Sequence, residues 1–221
     1  MVLKKPKYLA FAILIGGKSS KFNTEKIRFK FENKSLILHL IEVLSNFDEE
    51  IYLVSSSEEQ LLSYRKDINF PENSKFFFDD REYFPYPEIY SPILGVYTAL
   101  KELNNLGFEK VFILSGDSPL IKKEVIRWLI DTSATFDCTI PKWNNGYLEP
   151  LFAIYPIEKT LKRARENLIN REFNLNHLLE DEWNINYLSV EDSIQPLDKN
   201  LVSLININGP IDIEKLLKFY R

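Results

Sequence analysis

YLAFAILIGGKSSKFNTEK, residues 8–26, starts as an apolar run and ends as a small, cationic turn. A run without polar alternation predicts a strand buried on both faces, as in parallel sheets. Residues 14–26 then hold two glycines, two serines and three lysines. Gly16 and Gly17 let the backbone approach a ligand closely and adopt positive φ. Successive N–H groups over GGKSS (Gly16, Gly17, Lys18, Ser19, Ser20) can form an anion-binding nest. Lys21 and Lys26 add point charges on flexible stems. The pattern predicts a phosphate site beyond the carboxyl end of the first strand, where open α/β sheets bind ligands. Neither GxxxxGK[ST] nor GxGxxG fits these residues. The structural alternative is a tight strand-to-helix turn with lysines on its surface.

Further strand-like runs follow at 50–56 (EIYLVSS), 75–78 (KFFF), 110–116 (KVFILSG), 138–141 (CTIP), 151–156 (LFAIYP), 185–190 (INYLSV) and 202–208 (VSLININ). Helical spacing separates several of them. Leu36, Leu40, Val43, Leu44 and Phe47 share one face of 34–47. Ser91 and Pro92 suit the start of a helix, Ile93, Val96, Leu100 and Leu103 its apolar face, and Gly107 its end. DIEKLLKFY (212–220) predicts a closing helix. Alternating strands and helices predict an α/β fold with a mostly parallel sheet. No linker rich in Pro, Gly and Ser divides the chain, so residues 1–221 are expected to form one domain, with 1–7 flexible. Residues 78–92 (FDDREYFPYPEIYSP) read as a structured loop, equally suited to a binding wall or to aromatic packing.

The 221 residues are 45% hydrophobic and 27% charged, with a formal net charge of −4. That balance disfavours a general nucleic-acid surface. No apolar stretch reaches the roughly 18 residues of a membrane span, so no membrane partner is expected. A single cysteine, Cys138, excludes an intramolecular disulfide and a cysteine-based zinc cluster and makes the cytoplasm the default compartment. Cys138 reads as a buried strand residue and His39 as structural.

The turn after the first strand resembles the signature of the molybdenum cofactor guanylyltransferases, MobA-like members of the wider nucleotidyltransferase family. That signature runs L-x-G-G-x-S-x-R-M-G-x-D-K. Leu14, Gly16, Gly17, Ser19 and Lys26 stand in register; Lys21 replaces arginine, Phe22 methionine, Asn23 glycine and Glu25 aspartate. Asparagine tolerates the left-handed backbone better than most residues. SPILG (91–95), SGDSPLI (115–121), EPLFAIYP (149–156) and NINGPIDI (206–213) resemble the family's later segments in order, with Gly209 where the family has threonine.

The resemblance implies a three-layer Rossmann-like fold of nucleotidyltransferase type and transfer of GMP from Mg-GTP to molybdopterin. It implies Mg2+ as the metal, with GTP and molybdopterin as substrates. Protein partners would be molybdopterin-synthesis proteins or molybdoenzyme chaperones; a monomer is expected. Asp117, just past a central strand, is the expected metal ligand, since magnesium combines carboxylates with phosphate oxygens. A turn or helix-cap role is its structural alternative. Lys21 and Lys26 would carry charge stabilisation, and Asn206 and Asn208 would face the phosphates or the acceptor. Asp79 or Asp80, the latter slightly favoured, would accept from N1–H and the 2-amino group of guanine. Gly95 would allow close approach of the ligand. Leu14 and Ser55 to Ser57 would frame the base and ribose, unless those serines cap the helix that follows. His177 and the arginines Arg163, Arg165 and Arg171 are candidates for the acceptor side, with packing or a solvated helix face as the simpler reading. The alternatives are a cytidylyltransferase or another nucleotidyltransferase with a phosphorylated acceptor, and a non-catalytic nucleotide-binding module.

Overall fold

The computed structural model describes residues 7–16, 26–28, 30–79, 84, 91–207 and 212. The first strand, β1 (Lys7–Leu14), sits inside a seven-stranded sheet. Its alternation serves two cores. Ala10, Ala12 and Leu14 face one apolar cluster, and Leu9, Phe11 and Ile13 face the other. An apolar strand is stable there because each buried large side chain contributes about 1.5–3 kcal/mol.

Between β1 and the next long strand lie a short 3-10 turn (Lys26–Arg28), a small hairpin of β2 (Lys30–Phe31) and β3 (Lys34–Ser35), and α1 (Leu36–Leu44). The helix expected over 34–47 is therefore shorter. Lys34 and Ser35 pair with Phe31 and Lys30, and turns close it by Phe47. His39 is structural as expected: its Nε2 lies 2.9 Å from the Phe31 carbonyl oxygen.

The remaining elements are β4 (Glu50–Ser55), α2 (Glu58–Tyr64), β5 (Lys75–Phe78), α3 (Ile93–Asn105), β6 (Phe108–Ser115), α4 (Lys123–Thr132), β7 (Cys138–Lys142), β8 (Phe152–Pro156), α5 (Ile157–Ile169) and β9 (Ile185–Ser189). The sheet order is β5-β4-β1-β6-β8-β7-β9. β8 alone runs against its neighbours β6 and β7; the other pairings are parallel. Helical crossovers permit the parallel pairs, whereas the short β7–β8 connection enforces reversal. Apolar residues of α3 and α5 cover one face, and those of α1 and α4 cover the other. Gly107, with φ +82°, ends α3 as its sequence position suggests.

VSLININ departs from expectation. Val202–Leu204 form a 3-10 turn after Leu201 in the left-handed region (φ 50°, ψ 34°). Ser203 N–H donates to the buried Asp198 carboxylate at 2.7 Å, which draws this segment into a turn rather than onto the sheet. Of the closing helix, only residue 212 lies within the described part.

Candidate active site

The ends of β4, β1 and β6 converge, and two glycines make that possible. Gly16 N–H donates to the Val54 carbonyl at 3.2 Å, and a Cβ on Gly16 would lie 3.0 Å from the Ser56 nitrogen. On the other side Gly116 N–H donates to the Leu14 carbonyl at 3.0 Å, and a Cβ there would lie 3.0 Å from that oxygen. The buried Tyr64 hydroxyl donates to the Ile15 carbonyl at 3.0 Å and fixes the strand's exit. Gly16 was legible from its motif, and Gly116 stands in SGDSPLI without having been singled out. Nothing in the sequence marked Tyr64.

Asp79 follows β5 and donates its N–H to the Ser55 carbonyl at 3.0 Å, which carries it past the edge of the sheet. Its side chain reaches the first turn of α3. A Cβ on Gly95 would meet Leu14 Cδ2 at 3.4 Å and Asp79 Oδ1 at 3.6 Å. Leu14, Asp79 and Gly95 thus enclose one small space on the α3 face. Gly95 is partly exposed in a turn whose Ile93, Leu94, Val96 and Tyr97 are buried. Ser91 supports this turn: its hydroxyl donates to the Phe173 carbonyl at 2.8 Å and lies 3.4 Å from the Ile93 nitrogen.

Ser55 to Ser57 serve α2. The Ser55 and Ser56 hydroxyls donate to Gln60 Oε1 at 2.9 and 2.8 Å, and Ser57 Oγ accepts from Gln60 N–H at 3.1 Å. Of the two readings for these serines, the helix cap is the one the contacts support, because Gln60 collects their polar groups.

Asp117 lies just beyond β6. The Ser115 hydroxyl donates to Oδ1 at 2.5 Å, and the Asp117 carbonyl accepts from Ile207 N–H at 2.9 Å. The Ser118 hydroxyl donates to Asn206 Oδ1 at 2.5 Å, so the loop holding Asp117 and the segment holding Asn206 are joined twice. A deeper clasp repeats the joint. Ser203 Oγ accepts from Lys122 N–H at 3.0 Å, and the Lys122 ammonium lies 3.1 Å from Asp198 Oδ1 as an ion-pair contact rather than an aligned hydrogen bond. Ser115 stands in SGDSPLI without having been singled out, and Asp198 went unnoticed because its pairing with Lys122 exists only across the chain.

Gly17, Lys18, Ser19, Lys21, Asp80 and Asn208 lie outside the described residues; Lys26 opens the 3-10 turn. Among the described residues, no group of three or more His, Cys, Asp or Glu side chains could hold a metal. Magnesium bound chiefly by substrate phosphates needs only one or two carboxylates, and the partly exposed Asp117 fits that demand. Arg163 and His177 brace each other, since Arg163 Nε donates to the His177 carbonyl at 3.0 Å. Cys138 is buried, which pushes its thiol well above the usual range.

A family model for the MobA-like NTP transferase domain matches residues 11–182. A probable molybdenum cofactor guanylyltransferase of Thermococcus sibiricus is 35% identical over 92% of this chain and 95% of its own. A protein of the same description from Natranaerobius thermophilus is 31% identical over 94% of both chains. The crystal structure of molybdopterin-guanine dinucleotide biosynthesis protein A from Archaeoglobus fulgidus superposes with a TM-score of 0.75 at 25% identity. That match covers 96% of this chain and 98% of the other.

Proposed function

The chain belongs to the MobA-like NTP transferase family, and from that premise we propose that it transfers GMP from Mg-GTP to the terminal phosphate of molybdopterin. Pyrophosphate leaves, and the guanine dinucleotide form of the cofactor results. Residues 1–221 act as one nucleotidyltransferase domain in this reading, and the reaction is assigned to the cytoplasm. Among the described residues, no helix is long and apolar enough to cross a membrane.

The observation that carries the guanine assignment is the Asp79 carboxylate beside Gly95 and Leu14. A carboxylate only accepts hydrogen bonds when ionised, and guanine offers N1–H and its 2-amino group on one edge. Cytosine offers one amino donor beside an acceptor nitrogen, a poorer match. Asp79 takes the base-reading role in this reading; Asp80, which the sequence slightly favoured, lies outside the described residues.

The reaction is an in-line displacement. An acceptor phosphate oxygen forms a bond to the α-phosphorus as the α–β phosphoanhydride bond breaks and pyrophosphate takes the electron pair. The attacking phosphate is already anionic, so no strong general base is required. Asp117, held by Ser115, would bind magnesium together with the phosphates; the ion supplies charge neutralisation when bound. The backbone over Gly16 to Ser19 with Lys21 and Lys26 stabilises charge on the departing pyrophosphate. Asn206 and Asn208 donate to phosphate or acceptor without adding negative charge.

The test is pyrophosphate release with each of the four NTPs, magnesium and molybdopterin. Turnover is expected with GTP, and loss of at least 100-fold in Lys26→Ala and Asp117→Ala with unchanged circular dichroism. Turnover with CTP alone would overturn the guanylyl assignment. Nucleotide binding without turnover would favour the non-catalytic module.

A further inference from the structure

The chain between β7 and β8 returns to the same edge as the phosphate turn, because β8 runs antiparallel and begins where β6 ends. Its last residues cross that edge. Glu149 N–H donates to the Pro141 carbonyl at 3.1 Å, and the Leu151 carbonyl accepts from Ser115 N–H at 3.2 Å. Ser115 is the residue that holds Asp117, so Glu149 lies two residues along the chain from Leu151, whose carbonyl ties this connection to Ser115. Trp143, from the same connection, packs on the core cluster that also takes Leu201 and Leu204 of the closing segment. Glu149 thus stands on the half of the site that the Leu14, Asp79 and Gly95 space leaves to the second substrate.

Its chemistry is unusual for a loop. The residue is half-buried, and burial pushes its carboxyl above its ordinary value. The Trp143 indole N–H donates to Oε1 at 2.7 Å and counters part of that cost. Among the described residues no hydrogen bond reaches Oε2 and no cation pairs with the group. A carboxylate has about four lone-pair sites, so a free acceptor remains on each oxygen.

We propose that Glu149 reads the pterin end of the acceptor, taking hydrogen bonds from the ring N–H and the 2-amino group of a 2-amino-4-oxopteridine. This rests on the acceptor being molybdopterin. That edge is the pattern guanine presents, so one kind of group serves both ring systems. Asp79 follows β5 and Glu149 follows β7, five strand positions apart in the sheet order. At ~4.8 Å per strand, roughly 24 Å of edge lies between the two strand positions. The strand ends carrying Gly16 and Asp117 fall between them, where the phosphates react.

The test is Glu149→Gln, which keeps an oxygen for the Trp143 N–H but replaces an acceptor with a donor. The KM for molybdopterin is expected to rise at least tenfold, with the KM for GTP unchanged. Fluorescence quenching by 6-hydroxymethylpterin and by the corresponding 2,4-dioxopteridine isolates the contact. The wild-type protein is expected to prefer the amino compound at least tenfold, and the variant to lose that preference. A preference that survives in the variant, no preference or no quenching in the wild-type protein, or equal rises in both KM values overturns the inference. Pterin preference without GMP transfer would instead sink the proposed reaction and leave the Glu149 contact standing.

Discussion

Replacing Gly95 with alanine separates a glycine kept for packing from one kept for a ligand. Gly95 lies in the first turn of α3, where alanine is favoured over glycine by up to about 1 kcal/mol in helix propensity. The added methyl would meet Leu14 Cδ2 at 3.4 Å, Asp79 Oδ1 at 3.6 Å and Leu14 Cδ1 at 3.8 Å, all ordinary van der Waals distances. Little strain offsets the propensity gain, so the folded protein is expected to gain about 0.5–1 kcal/mol. For a chain of this size that is roughly 1–4 °C in Tm. The same methyl would occupy the space between Leu14 and Asp79 that the base is proposed to use. Overfilling a fitted site costs about 1–3 kcal/mol, which is roughly 5- to 150-fold in KM for GTP. Thermal unfolding and steady-state kinetics on one preparation give both numbers. A variant that is more stable and binds GTP normally would refute the nucleotide role of Gly95. One destabilised by more than 1 kcal/mol would refute the contact geometry.

Two further expectations concern stability away from the reacting phosphates. Asp198→Ala removes the acceptor for Ser203 N–H and the partner of Lys122. Breaking a buried pair costs about 3–5 kcal/mol; with Lys122 partly exposed, about 2–3 kcal/mol is expected in urea unfolding, and a loss under 1 kcal/mol would show that the clasp is not needed. Glu50 opens β4 at the edge opposite the site, bonded by Lys7 and Lys75, which hold its carboxyl down at about 2. A depressed carboxylate contributes stability above its unfolded value near 4.5, and loses it as pH falls towards 2. After solvent screening, Glu50→Gln is expected to cost about 1 kcal/mol at pH 7 and distinctly less at pH 3. A gap independent of pH would exclude the ion pairs as its cause.

The strands were legible because burial on both faces needs continuous apolar residues, and KFFF is β5 residue for residue. VSLININ shows where that signal stops. Val202, Ile205 and Ile207 pack in one small cluster with Leu120 and Phe31, and a backbone hydrogen bond to Asp198 decides the segment's shape. Hydropathy carries no trace of such a bond. The places of Asp117, just past a strand end, and of Gly95, in the first turn of a helix, were legible from the apolar patterns on either side, and their proposed roles rest on those places. Glu149 entered the sequence reading only within the EPLFAIYP resemblance, since its environment depends on Trp143 folding back six residues.

The single reversed strand gives one sheet edge an extra connection, on which the proposed acceptor contact stands. In a wholly parallel sheet, each strand gives that edge one departing loop, and the next strand begins at the far side. β8 breaks the rule, so the chain between Lys142 and Phe152 both departs from and returns to the site edge. Its return is secured by the Leu151–Ser115 hydrogen bond, and Ser115 in turn fixes Asp117. A shift of this connection therefore acts on Asp117 directly, whereas the Leu14, Asp79 and Gly95 space is built from β1, β5 and α3. The proposed nucleotide end is local to β1, β5 and α3, and the proposed acceptor end is tied to the proposed metal ligand. Substitutions around Trp143 should consequently change acceptor use and turnover before they change GTP binding.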